Sequence, residues 1–127
     1  MEMNEIEVGD YYLMKIENGI MYITVKPDIF VELHMVKEVI AKQRDVLNGK
    51  PILVALDVSK ASGITKEARE YTSGKHVEGL QIAMAIIIDS LPMRLLANFF
   101  IKFNKPPAPT KMFNSMEDSI EWLETFR

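Results

Sequence analysis

Apolar and polar positions change rhythm several times along the chain. Over 11–26, YYLMKIENGIMYITVK, two β-rich runs flank Glu17-Asn18-Gly19. Asn and Gly both tolerate the positive φ of a two-residue hairpin turn, so this stretch predicts an antiparallel hairpin. In its second run Ile20, Tyr22 and Thr24 point one way, and Met21, Ile23 and Val25 the other. Pro27-Asp28 ends the strand. Residues 30–47 then predict a helix, because Val36, Val39, Ile40 and Leu47 form one stripe while Lys37, Glu38, Lys42, Arg44 and Asp45 lie mostly off it. Asn48-Gly49 is a helix stop.

Two apolar runs do not alternate: Pro51–Leu56 and Ile82–Ile88. A strand apolar on both faces is covered on both faces, which favours a parallel sheet with helices around it. Between them, 66–77 predicts a weaker helix, with Thr65 or Ser62 as its cap. After the second run, Pro92 suits the first turn of a helix over 91–103 that carries Leu96, Phe99, Phe100 and Phe103 as its stripe. Lys105-Pro106-Pro107-Ala108-Pro109 stops it. Thr110–Phe113 predicts a short strand. Ser115-Met116-Glu117-Asp118 opens a last helix bearing Ile120, Trp122, Leu123 and Phe126, with Trp122 expected as a core anchor. The order is ββαβαβαβα. It describes one α/β domain over residues 1–127, with a five-stranded mixed sheet and four helices: antiparallel in the N-terminal hairpin, parallel later.

Composition then narrows the function classes. The 127 residues contain no cysteine and two histidines, His34 and His76. Disulfides, thiol nucleophiles, zinc–thiolate sites and iron–sulfur clusters are thereby excluded. Both histidines read as surface or satisfied residues. The net charge of −3 offers no global field for nucleic acid. The longest apolar run, Ile82–Ile88, is far short of the ~20 residues that span a bilayer, and the N-terminus is acidic, unlike a signal peptide. A cytoplasmic protein without integral membrane association is expected. None of the phosphate-loop, dinucleotide, nucleophile-elbow or HExxH patterns occurs. The residues predict no cofactor, no metal and no catalytic set.

Ala97-Asn98-Phe99-Phe100-Ile101-Lys102-Phe103-Asn104-Lys105-Pro106-Pro107, then Pro109-Thr110-Lys111-Met112-Phe113 and Glu121-Trp122-Leu123, with the element order above, resemble the SpoIIAA-like group, the STAS and Sec14-type domain family. The chain is similar to a small bacterial subgroup with the pattern N-F-F-x-x-x-N-K-P-x-x-P-x-K-x-F and a terminal W-L, a subgroup with no established activity. The better-known STAS members are anti-sigma-factor antagonists, phosphorylated on a serine in a D-x-S-x-x-D-S-[ST]-G-like loop. Leu56-Asp57-Val58-Ser59 resembles the start of that loop and Ser62-Gly63 its end. Here the loop is shorter, and Ala61 stands where the phosphorylated serine falls. The resemblance implies a non-catalytic regulatory or protein-interaction module. The Sec14 likeness implies, as an alternative, a carrier of a small hydrophobic or lipid ligand in a cleft between helix 91–103 and the sheet.

Four constellations carry candidate chemistry. Asp57, Ser59, Ser62 and Thr65 crowd the loop before a helix and form a candidate switch or partner loop, where a phosphate would meet free N–H groups. Asp57 and Asp89 end the two buried strands at the sheet edge where α/β proteins bind ligands. As a third reading, such a pair would hold a cation through oxygen or supply an acid to an enzyme. Arg94, Lys102, Lys105 and Lys111 make 90–116 a +4 stretch, before the −4 of Glu117, Asp118, Glu121 and Glu124. Met93, Phe99 and Phe100, with Asp89, Arg94 and Lys105, form a candidate interface or ligand surface. One stripe can bury Phe99 and Phe103, which leaves Phe100, Met93 and Pro106 as surplus apolar surface and predicts a protein partner, including a second copy in a homodimer. A pocket lined by these residues would favour the carrier, and a flat patch the partner.

Overall fold

The Asn-Gly turn closes as its chemistry requires. Asn18 and Gly19 have φ of 53° and 76°, and β2 (Tyr12–Glu17) pairs with β3 (Ile20–Val25) in an antiparallel ladder from Tyr12↔Val25 to Glu17↔Ile20. This computed structural model describes residues 1–127, apart from the side chain of Phe103.

A strand that the apolar pattern did not signal precedes the hairpin. β1 (Met3–Val8) pairs antiparallel with β2, with a register shift between Met3 and Ile6. The remaining strands are parallel. β5 (Ile52–Asp57) joins β3, β7 (Gln81–Ile87) joins β5, and β8 (Thr110–Phe113) joins β7. The main sheet is therefore six-stranded, in the order β1-β2-β3-β5-β7-β8, where the sequence predicted five strands. The missing member is an edge strand whose acidic sequence MNEIEV has no apolar run. Its existence depends on pairing with β2.

A second sheet joins two-residue strands, β4 (Phe30–Val31) and β6 (Gly63–Ile64), in parallel. It takes the first residues of the helix expected over 30–47, so α1 spans Leu33–Leu47. The helix stop is as expected: Asn48 is left-handed and the Gly49 N–H bonds to the Arg44 carbonyl at 3.0 Å. The helix expected over 66–77 divides into α2 (Lys66–Tyr71) and a single 3₁₀ turn at Lys75–Val77. Thr65, not Ser62, caps α2 by accepting the Ala68 N–H. α3 (Leu91–Asn104) starts at the Ser90 cap with Pro92 in its first turn and ends at a left-handed Lys105 before the prolines. α4 (Met116–Glu124) starts where Ser115 accepts the Asp118 N–H at 3.2 Å.

Alternation along the strands divides the core in two. Met14, Met21, Ile23, Val54, Met84 and Ile86 face α1, α2 and α3. Ile20, Leu53, Ala55, Ala83, Ala85 and Ile87 face α4, where Leu123 is fully buried. The expected anchor Trp122 is only half-buried: its ring packs between Phe113 and Phe126, with centroids at 5.6 and 4.8 Å. Leu123 holds the inward position instead, because residues 119 and 123 lie one turn apart on the face that meets the alanines.

Candidate functional site

α1 and α3 cover the same face of the sheet without meeting over its middle. Between them is a half-open cavity of about 160 Å³. Its floor is Ile23 from β3, Val54 and Leu56 from β5, and Met84 and Ile86 from β7. One wall is Val36, Val39 and Ile40 of α1, and the other is Met93, Leu96, Ala97 and Phe100 of α3. Arg69 of α2, Thr72 at its C-terminal cap and Val77 of the 3₁₀ turn also line it.

The helical geometry explains which apolar residues reach this space. α3 carries one polar strip, Arg94, Asn98 and Lys102 at i, i+4 and i+8, and the sequence reading did not use it to choose the inner face. Met93, Ala97 and Phe100 fall at i, i+4 and i+7 and turn inward; Leu91, Leu95 and Phe99 fall at i, i+4 and i+8 on the opposite side. The expectation for the aromatic pair is thereby reversed. Phe100 is 6% exposed and Phe99 54%, with Leu91 and Leu95 exposed beside it. Met93 is half-buried in the cavity wall. The expected place of Phe103 in the stripe lies outside the described side chains.

Polar groups on the lining are few, and sequence reasoning missed the two that matter. Gln43 is 2% exposed, and its Nε2 donates to the Leu80 carbonyl at 3.1 Å. It occupies a core position of the α1 stripe, four residues before Leu47, and a polar residue there was a legible signal. Arg69 gave no such signal. Its Nε is buried and has no hydrogen-bond partner. Among the described residues no ion pair includes it, and the cavity lining contains no carboxylate. Tyr12, at the β2 side of the lining, is 2% exposed. Burial, then the Glu38 carboxylate and Tyr11, push its phenol well above the ordinary value.

The candidate switch loop is fastened in place. Asp28 N–H donates to the Lys60 carbonyl, Ser62 N–H to Ile29 and Thr65 N–H to Val31, each at 2.9 Å. The Phe30 ring covers Gly63 so closely that a Cβ there would lie 2.6 Å from it. Asp57 Oδ1 accepts both the backbone N–H of Ser59, at 2.9 Å, and its hydroxyl, at 2.6 Å. That is turn chemistry, and it engages one of the two carboxylate oxygens. Ser62 is exposed, with its hydroxyl 3.4 Å from the Asp28 carbonyl. The spacing did not foretell this fastening, because two-residue strands have no period.

The other candidates disperse. Asp89 is exposed two residues beyond Ile87, the register partner of Asp57. Among the described residues no cluster of three or more His, Cys, Asp or Glu is placed to hold a metal ion. Arg94 Nη2 reaches back to the Ile88 carbonyl at 3.5 Å. Lys105 forms the left-handed end of α3, and Lys111 lies 5.5 Å from the centroid of the Phe113 ring. His34 Nε2 is 3.4 Å from the Tyr11 hydroxyl, and His76 stacks on Tyr71 at 3.9 Å. Among the described residues no helix is long and apolar enough to cross a membrane.

A family described as a domain of unknown function, DUF7793, matches residues 14–127. The chain belongs to that family. The matched range begins inside β2 and takes in the parallel strands and the helices that frame the cavity, while β1 lies outside it. No curated protein matches the chain. Among solved structures it is similar to an uncharacterised protein of the DUF3478 family, with a SpoIIAA-like fold, from Shewanella loihica PV-4. The identity is 14%, over 97% of this chain and 95% of that one, with a TM-score of 0.63. A protein of unknown function from Arthrobacter sp. FB24 is 21% identical over 87% of this chain and 97% of that one, with a TM-score of 0.33, too low to bear on the fold. The Shewanella structure supports the fold: α/β, a mixed sheet and four helices, similar to the SpoIIAA-like arrangement.

Proposed function

We propose that this DUF7793 domain is a binding module whose cavity takes a small apolar ligand. The observation that carries the reading is the cavity of about 160 Å³ between α1, α3 and the sheet, walled almost wholly by aliphatic and aromatic side chains. Apolar cavities of about 150 Å³ bind molecules the size of benzene. Leaving such a space unfilled costs up to roughly 4 kcal/mol relative to a packed core. Two or three larger side chains would fill it, so its presence favours use. Asp57, the acid nearest the strand ends, is already bonded to Ser59, which supports binding over catalysis.

Native mass spectrometry of the protein purified under gentle conditions tests the reading. A bound mass that dissociates on activation is expected. A homogeneous apo mass, together with no methyl shift at Met84 or Met93 on adding benzene or hexanol, would overturn it.

A second reading is self-association through the outer row of α3. It is favoured by the exposure of Leu91, Leu95 and Phe99 along one line. The motive first seen in the sequence, a surplus of Phe100, Met93 and Pro106, shifts to these residues. A scattered apolar side chain needs no explanation, but a contiguous row marks an interface.

A further inference from the structure

We infer that the ligand of this cavity is a small monocarboxylic acid with an apolar body, anchored by Arg69. The inference rests on the cavity being a binding site and adds the chemistry of what fills it. The walls are apolar, and the lining holds one cation and, among the described residues, no acid. The Arg69 side chain is partly exposed, but a guanidinium stays charged, so a nitrogen of it that is buried needs an acceptor. Arg69 has a buried Nε with none. An orphaned buried donor is costly, more so when charged, and native proteins leave few of them. Gln43, buried in the same lining, is satisfied by Leu80, and among the described residues Arg69 Nε is the buried side-chain nitrogen or oxygen without a partner. The shortage is therefore local to Arg69.

The missing acceptor has a definite form. Nε and a terminal nitrogen make the planar fork that grips both oxygens of a carboxylate. With the carboxylate on Arg69, the remaining space of a cavity of about 160 Å³ suits a body the size of one ring or a short alkyl chain. A two-chain lipid is far too large to be enclosed. A neutral hydrocarbon would fill the space and leave Nε without an acceptor. An apolar acid meets both demands with a charge-assisted, two-oxygen acceptor, stronger than a neutral hydroxyl or carbonyl, which selects hexanoate or benzoate as representatives of the class.

The test compares hexanoate with 1-hexanol on the full chain, following the methyl signals of Met84 and Met93 in the cavity lining and measuring affinity by calorimetry. Hexanoate is expected to shift both signals and to bind about tenfold or more tighter than hexanol, the usual margin of a charge-assisted hydrogen bond. Arg69→Gln is expected to weaken hexanoate about tenfold or more and hexanol much less, so that the preference for the acid is lost. Equal affinity for acid and alcohol in the unmodified protein overturns the assignment of the acid, and this arm needs no variant to fold. Hexanoate binding unchanged in Arg69→Gln overturns the role of Arg69. In both cases the cavity still binds apolar ligands. If neither compound shifts Met84 or Met93, the cavity reading itself fails.

Discussion

The two faces of the sheet solve one packing problem in opposite ways. Beneath α4 the floor is Ala55, Ala83 and Ala85, all fully buried. Small side chains let a helix approach closely, and Leu123 and Ser119 lie wholly inside the contact. On the other face the neighbouring residues in sequence, Val54, Met84 and Ile86, stand taller. α1 and α3 lie on them and leave a gap. Strand alternation thus lets adjacent residues serve different ends: Ala85 closes one face and Met84 helps line a cavity on the other. A filled face stabilises the fold. A face left incomplete is where a ligand can contribute contacts the protein lacks.

The largest expected effect is on the closed face. Leu123→Ala should lower stability by about 2–5 kcal/mol, the range for emptying a packed core position. Leu96→Ala, on the cavity wall, should cost much less, about 1 kcal/mol, because side chains beside a void already lack partners on one side. Urea denaturation of the two variants compares the faces directly. Equal losses would show that the cavity face is as tightly packed as the other.

The reverse substitution gives the next effect. Ala85→Leu pushes extra atoms between β7 and α4 and should destabilise by about 1–3 kcal/mol. Ala97→Leu points the same atoms into the cavity, should change stability by less than about 1 kcal/mol, and should abolish the methyl shifts caused by hexanoate. A large loss for Ala97→Leu would mean that α3 has no room beneath it.

A third comparison uses pH. Tyr12 belongs to the cavity face, and burial, Glu38 and Tyr11 raise its phenol in the folded state. The folded protein therefore holds this proton where the unfolded chain releases it. Stability is fully present below the unfolded value of about 10 and falls as pH rises past it. Tyr22, on the α4 side, is also raised, by burial and then Glu17 and Glu124, with Arg127 opposing. Tyr12→Phe should flatten the alkaline decline measured by thermal unfolding, leaving the part due to Tyr22. An unchanged slope would show that Tyr12 ionises freely.

How far the sequence could be read follows from the range of the forces involved. The hairpin, the buried strands, the Ser115 cap and the Asn48-Gly49 stop were legible because each depends on residues within a few positions. β1 was not, since Met3, Asn4, Glu5, Ile6 and Glu7 become a strand only by pairing with β2. β4 and β6 were too short to have a period. α3 has nearly the expected boundaries, and its inner side was also legible, since Arg94, Asn98 and Lys102 form a polar strip away from Met93, Ala97 and Phe100. Asp57 was legible as a strand-end acid, but its bonds to Ser59 through Oδ1 were not, because a turn of this kind leaves no periodic signal. Arg69 is invisible to spacing arguments: its buried Nε lacks an acceptor beside a cavity built by segments far apart in the sequence.

The smallest expected effect on stability separates the two sides of α3. Leu95 is 60% exposed, in the row with Leu91 and Phe99 and directly opposite Ala97 and Phe100. Leu95→Glu exchanges one solvated side chain for another in a residue type equally suited to helix, so the denaturation midpoint should move by no more than about 0.5 kcal/mol. Hexanoate should still shift Met84 and Met93, because the cavity side of the helix is untouched. If the outer row joins two copies of the chain, a carboxylate at its centre would be desolvated there without a partner, and sedimentation of the parent protein at tens of micromolar should show a dimer that the variant lacks. A parent protein that sediments as a clean monomer removes the second copy from consideration and leaves the inner row as the functional side of α3. A variant that stays dimeric places the contact elsewhere. A variant that loses stability or ligand shifts would mean that Leu95 is packed, and that the division between an inner and an outer side of this helix is wrong.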